Sequence, residues 1–154
     1  MSGASSASTP APGRHVVSAT RVIAAPRQRL FDLIADPAMH PRIDGSGTVV
    51  ASPVGAPERL GPGVRFGMGM RMGPPYRTSN RVVEFEEGRR IGWAHLSRAV
   101  WRWEFADVEG GTEVTESFDW SRARARPVMR RFARGNAVSM RRSLERLAEL
   151  AAED

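Results

Sequence analysis

The stretch 127-PVMRRFARGNAVSMRRSLERLAELA-151 decides the reading of this chain, because it describes one helix with a continuous apolar face. Met129, Phe132, Ala133, Met140, Leu144, Leu147 and Ala151 recur at helical spacing, while Arg130, Arg131, Arg134, Arg141, Arg142 and Arg146 fall on the other side. Such a face needs a partner, and the preceding sequence offers short strands that are apolar on one side only. The expected class is α+β: a curved antiparallel sheet of about six to seven strands gripping the C-terminal helix, with two short helices after the first strand. A cavity is expected between sheet and helix.

Two residues inside the helix bear on that cavity. Gly135 costs about 1 kcal/mol relative to Ala in a helix interior, so it predicts a bend or the close approach of something bulky. The competing reading is a break between two shorter helices at Gly135-Asn136. Asn136 falls on the apolar side, where a cavity water or the polar group of a ligand would satisfy its amide.

At 154 residues with 41% hydrophobic content the chain is long enough for one domain and one core. Cysteine is absent, which excludes disulfides and thiolate chemistry. No apolar run approaches the roughly 18 residues of a membrane span, and the N-terminus lacks a signal-peptide pattern, so the expectation is a soluble cytoplasmic protein. The net charge of +6 and pI near 11.3 invite a nucleic-acid reading. Against it, every basic residue other than His is Arg, with Ala, Gly and Pro abundant, as the codon bias of a GC-rich genome would produce. The arginines also spread over the whole polar side of the helix, as on a solvated face. Nucleic acid is therefore not the expected partner.

Taken in order, residues 1–14 (MSGASSASTPAPGR) lack periodicity and read as a disordered tail, with a single domain over 15–152. His15 to Ala25 alternates as a first strand, Pro26 opens a helix ended by Asp36-Pro37, and a second short helix covers Pro37 to Ile43. Asp44-Gly45 and Ser46-Gly47 turn into a strand over Thr48 to Val54. The next strand, Val64 to Met72, sets Phe66, Met68 and Met70 on one face and Gly67 and Gly69 on the other. Methionines at period two suit the wall of an accommodating pocket, and equally suit plain core filling. Further strands are expected over Tyr76 to Glu86, with Arg81, Val83 and Phe85 on one face, and over Arg90 to His95, with Ile91, Trp93 and His95 together. The last two cover Arg98 to Asp107, with Trp101, Trp103 and Phe105 together, and Thr112 to Ser121, where Glu116 sits among Val114, Phe118 and Trp120.

This order resembles the helix-grip fold of the START and birch-pollen-allergen (SRPBCC) superfamily. The stretches VVSATRVIAAPRQRLFDLIADPAMHPRIDGSG, VVEFEEGRRIGW and WRWEFADVEGGTEVTESFDW are similar to its bacterial polyketide cyclase/dehydrase-like branch, and the resemblance covers about His15 to Leu150. It implies a hydrophobic cavity that holds lipids, polyketides, steroids or other apolar molecules. Some members of that family are cyclases or dehydratases, and others have no demonstrated activity. The branch has no shared catalytic motif to carry over.

With apolar faces inward, the expected ligand-binding residues are Phe66, Met68, Met70, Phe85, Trp93, Trp101, Trp103, Phe118, Phe132 and Met140, with Arg81 and Asn136 orienting a polar end. His95 and Glu116 are the candidate proton-transfer pair of a cyclase or dehydratase. The bland alternatives are a buried Arg81–Glu116 ion pair and a His95 satisfied by a backbone carbonyl. His40 and Asp44, near the mouth, read as loop and cap residues. No His-Glu-x-x-His, Gly-x-Ser-x-Gly or dinucleotide fingerprint occurs, so neither metal nor cofactor is expected. The leading expectation is a small-hydrophobic-ligand binder. A metal-free enzyme using the same pocket stands second, and an Arg-rich module for RNA or an acidic partner third. A homodimer is compatible with all three.

Overall fold

Alternation of apolar and polar side chains builds the first strand, β1 (Val16–Ile23), and its end at Ala24-Ala25-Pro26 passes the chain to a helix. The structure, a computed structural model, describes residues 15–51 and 55–153. Pro26, with φ −61°, stands at the N-cap of α1 (Arg27–Ala35), which buries Leu30, Phe31, Ile34 and Ala35 along one face. Asp36 is extended, as a residue before proline must be, and its carboxylate accepts from the Ala38 N–H at 2.9 Å. That bond caps a 3-10 turn, Pro37–Met39, which runs directly into α2 (His40–Ile43). The expected second helix thus has two pieces.

Six strands follow: β2 (Val49–Ala51), β3 (Arg65–Arg71), β4 (Pro75–Glu86), β5 (Arg90–Ala94), β6 (Val100–Val108) and β7 (Gly111–Asp119). The end of the strand expected over Thr48 to Val54, and the tail over 1–14, lie outside the described residues. The strands form one seven-stranded sheet in the order β1-β7-β6-β5-β4-β3-β2, antiparallel throughout. The long helix α3 (Arg126–Ala152) is unbroken at Gly135-Asn136. This is the helix-grip arrangement that the sequence implies.

One irregularity changes which side chains point inward. Val82 pairs with Trp93 and Glu84 with Gly92, so Val83 is an extra residue in β4. The bulge shifts the phase of alternation. Asn80 and Val82 are buried before it and Phe85 is half-buried after it, while Val83 and Arg81 are exposed. The expectation that Arg81, Val83 and Phe85 share an apolar face assumed an unbroken period and is corrected here. No Arg81–Glu116 ion pair forms.

The core has two parts. Leu144, Leu147 and Leu150 of α3 pack with Leu30, Phe31, Ile34, Ile91, Trp103 and Phe105 in the larger part. Ala133 and Met140 join Phe118, Trp120 and Ala99 in the smaller. On the sheet's other face Arg102 bridges Glu84 at 2.7 Å and Asp119 at 3.6 Å.

Candidate functional site

Helix α3 lies against β1 and β7 and, at its C-terminal half, against α1 and α2. Its N-terminal half therefore stands away from β3, β4 and β5, and the gap is a cavity of about 660 Å³. This is ample for a drug-sized molecule by the usual scale of ligand pockets. Met68 and Met70 (β3), Trp93 (β5), Trp101 and Trp103 (β6) and Phe118 (β7) line the sheet side, and Phe132, Asn136 and Met140 line the helix side. His95 and Glu116 face the same space.

Three of the expected binding residues fall elsewhere. Arg81 points out of the opposite face for the reason given above. Phe66 is buried behind the wall, edge-on to Trp93 with ring centroids 5.6 Å apart. Phe85 packs edge-on against Phe31 of α1, centroids 5.7 Å apart, so it serves the core at the closed end. Arg131, expected on the solvated side of the helix, lines the cavity.

Gly135 also lines the cavity, and a Cβ built there would meet nothing within 4 Å. The glycine therefore widens the space under an unbroken helix. Close approach of backbone occurs instead at Gly45, whose Cβ would overlap the Ser139 carbonyl oxygen and sit 2.7 Å from the Ser143 nitrogen. The α2–β2 loop thus rests directly on α3. Asp44 holds that loop in shape: its carboxylate accepts from the Ser46 N–H at 3.1 Å and the Val49 N–H at 2.9 Å. An Asx turn of this kind is legible as Asp44-Gly45 in sequence; its seat on the helix is not.

His40 also lines the cavity. It is buried, its Nε2 lies 2.7 Å from the Ile34 carbonyl oxygen, and its ring stacks on Trp93 with centroids 5.0 Å apart. Burial lowers its pKa, so at neutral pH the uncharged ring donates to Ile34 and supports the indole that forms the wall.

His95 and Glu116 are shifted in opposite directions by the same cause. Desolvation pushes the His95 imidazole down to about 4. It pushes the Glu116 carboxyl well above the usual carboxylate range, and the negative charge of Asp44 adds to the effect. At pH 7 the imidazole is therefore uncharged, and burial favours the protonated form of the carboxyl. Neither makes a side-chain hydrogen bond among the described residues, and Glu116 Oε2 is fully buried with no partner. Asn80 was hidden from sequence reasoning by the bulge. It too lines the cavity, donating from Nδ2 to Thr78 Oγ1 at 3.2 Å while its buried Oδ1 has no partner. The register Arg81↔Ala94 carries Asn80 to the position facing His95. The polar groups thus lie apart on the wall: Asn80 and His95 toward β4 and β5, Glu116 on β7.

The mouth is apolar and partly exposed. Val128 and Phe132 on α3 and Met72 and Tyr76 at the β3–β4 turn all line the cavity while remaining open to solvent.

Comparison with known proteins agrees with this geometry. The family model described as polyketide cyclase / dehydrase and lipid transport matches residues 14–152. The protein Rv0088 of Mycobacterium tuberculosis strain H37Rv is 36% identical over 146 residues, covering 90% of this chain. The match takes in 64% of that relative, so this chain spans less than two thirds of its length. Among solved structures, protein NE0264 from Nitrosomonas europaea superposes with a TM-score of 0.71 at 15% identity, covering 88% of this chain and 93% of its own. An AHSA1-like protein from Aeromonas hydrophila gives 0.61 at 19% identity, covering 90% and 96%. The di-domain ARO/CYC protein BexL of the BE-7585A biosynthetic pathway gives 0.66 at 19% identity, covering 90% of this chain and 50% of its own. At these identities the structural likenesses speak for the fold. The family match spans nearly the whole chain, and on that ground the chain belongs to the polyketide cyclase / dehydrase and lipid transport family.

Proposed function

We propose that the protein binds a small hydrophobic molecule, a lipid, polyketide or similarly sized apolar compound, in the cavity between the sheet and α3. The observation that carries this reading is the unfilled volume. Three tryptophans and five methionines line about 660 Å³ without closing it, although interiors normally pack to near-crystalline density. A void of this size lined by apolar groups forfeits contacts that a ligand restores. Gly135 supports the same reading, since any larger residue would extend a side chain into the space.

The test is native mass spectrometry of the protein from its host, followed by titration with the uncharged fluorophore N-phenyl-1-naphthylamine. A discrete bound molecule, or saturable one-site probe binding that Gly135→Trp removes, is the expected result. A protein that carries nothing and binds no probe overturns the proposal.

A second reading, a metal-free cyclase or dehydratase, rests on His95 and Glu116 both lining the cavity. A neutral carboxyl can protonate a departing hydroxyl, and a neutral imidazole can accept the proton lost from carbon. His95→Gln separates the readings: it abolishes turnover of a β-hydroxy ketone substrate if the cavity is catalytic, and changes only affinity if it is a binding site.

A further inference from the structure

We propose that Glu116 is the polar anchor of the cavity, its carboxyl donating a hydrogen bond to the carbonyl oxygen of an uncharged apolar ligand of the ketone, ester or quinone class. The inference rests on the binding reading above and adds the chemistry of the ligand.

The surroundings of Glu116 are apolar. It faces inward from β7 between Val114 and Phe118, and its cross-strand partner on β6 is Trp103. Its Oε2 is fully enclosed and meets no donor or acceptor among the described residues. Buried polar groups in folded proteins nearly always have a partner, so a carboxyl that lines the cavity and makes no side-chain hydrogen bond among the described residues marks where a ligand atom belongs.

Charge decides what that atom is. Among the described residues the one cationic side chain that lines the cavity is Arg131, exposed on α3, while Asp44 contributes negative potential at Glu116. Among the described residues no cation pairs with Glu116, and an enclosed carboxyl without a countercharge favours its protonated form, which offers an O–H. A ligand carboxylate beside Glu116 would bring a second anion into the field of Asp44, while Arg131 stands exposed on the helix side of the cavity. A carbonyl oxygen accepts from the O–H, requires no change of charge, and leaves the rest of the molecule against Trp101, Trp103 and Phe118. An ammonium ligand would first have to strip the proton from Glu116, losing the donor that the wall provides.

The experiment uses four probes with one ring system: 2-acetylnaphthalene, 2-ethylnaphthalene, 2-naphthoate and 1-(2-naphthyl)ethylamine. Each is titrated against the full chain at pH 7 by quenching of the tryptophans that line the cavity, with Glu116→Gln and Glu116→Leu in parallel. One hydrogen bond predicts about tenfold tighter binding of the ketone than of the ethyl compound. Glu116→Gln, which retains a neutral donor, keeps most of that preference, and Glu116→Leu reduces the ketone to the level of the ethyl compound. Equal binding of ketone and ethyl compound overturns the anchor and leaves the binding cavity standing. So does tightest binding of the amine or of the naphthoate, which would make the ligand charged. If none of the four binds, the cavity reading itself fails.

Discussion

The backbone N–H of Gly45 donates to Ser143 Oγ at 2.9 Å, and the same hydroxyl donates onward to the Ser139 carbonyl oxygen at 3.1 Å. Through this pair the α2–β2 loop sits on the middle turn of α3, next to the cavity, and Arg146 reaches back to the Asp44 carbonyl. There is no room for a side chain at Gly45, where an added Cβ would overlap helix backbone. Gly45→Ala is expected to destabilise the fold by about 3 kcal/mol, the upper end for overpacking against rigid backbone. Ser143→Ala, which leaves the Gly45 N–H unsatisfied, is expected to cost about 1–2 kcal/mol. Urea denaturation measures both; a Gly45→Ala protein as stable as the parent would show that the loop does not rest on the helix.

Gly135 should respond with the opposite sign. It lies in the same helix with open space around its Cβ position, so Gly135→Ala relieves backbone entropy without a clash. The expected gain is about 0.5–1 kcal/mol. Gly135→Leu should also fold, and should weaken binding of N-phenyl-1-naphthylamine at least tenfold by occupying the cavity. A destabilised Gly135→Ala would mean that the helix is bent there or packed against something.

These two glycines show what could be read from sequence and what could not. Both attract attention as punctuation, but which one faces backbone and which one faces space depends on contacts 90 or more residues away, such as Gly45 with Ser143. The helix and the tryptophan strands were legible because their periods are uninterrupted: Ile91, Trp93 and His95 share a face, as do Trp101 and Trp103. β4 was not, because one extra residue at Val83 inverts the alternation and nothing in the local sequence announces it. The bulge accounts for both the misplacement of Arg81 and the omission of Asn80. Phe66 and Phe85 were correctly placed toward the inside, but period alone cannot say where along a sheet the core ends and the cavity begins. That boundary is set by where α3 leaves the strands.

The His95 imidazole, held down to about 4 by burial, makes acid the stress to apply. The unfolded chain takes up a proton near pH 6.5 while the folded chain resists until about 4, so stability present above pH 6.5 is lost as pH falls across that window. With allowance for partial exposure the His95 share is about 2 kcal/mol. His95→Gln should remove that share, so that variant and parent differ by less at pH 4.5 than at pH 7. The buried His40 contributes loss of the same sign in both proteins and does not mask the difference. A constant gap between the two denaturation curves from pH 7 to pH 4.5 would show that His95 is solvated and not part of a dry cavity wall.

Glu116 sets the opposite limb. Its folded pKa is raised by desolvation and by Asp44, so below the unfolded carboxylate pKa both states are protonated and its burial carries no pH-dependent penalty. As pH rises past that value the unfolded chain releases the proton and the folded chain does not, and stability falls until the folded group finally ionises. Glu116→Gln keeps the shape and neutrality of the protonated acid without this linkage. The variant should match the parent near pH 4 and exceed it by a growing margin toward pH 8, as read from urea midpoints at constant ionic strength. Asp44→Asn in the same background tests the cause. Removing the Asp44 charge should shrink the margin in the parent and leave the Glu116→Gln protein without a matching pH response. A margin between the Glu116→Gln variant and the parent that stays constant from pH 5 to 8 would mean that Glu116 is ionised and paired in solution, and the ligand it anchors would then have to be cationic.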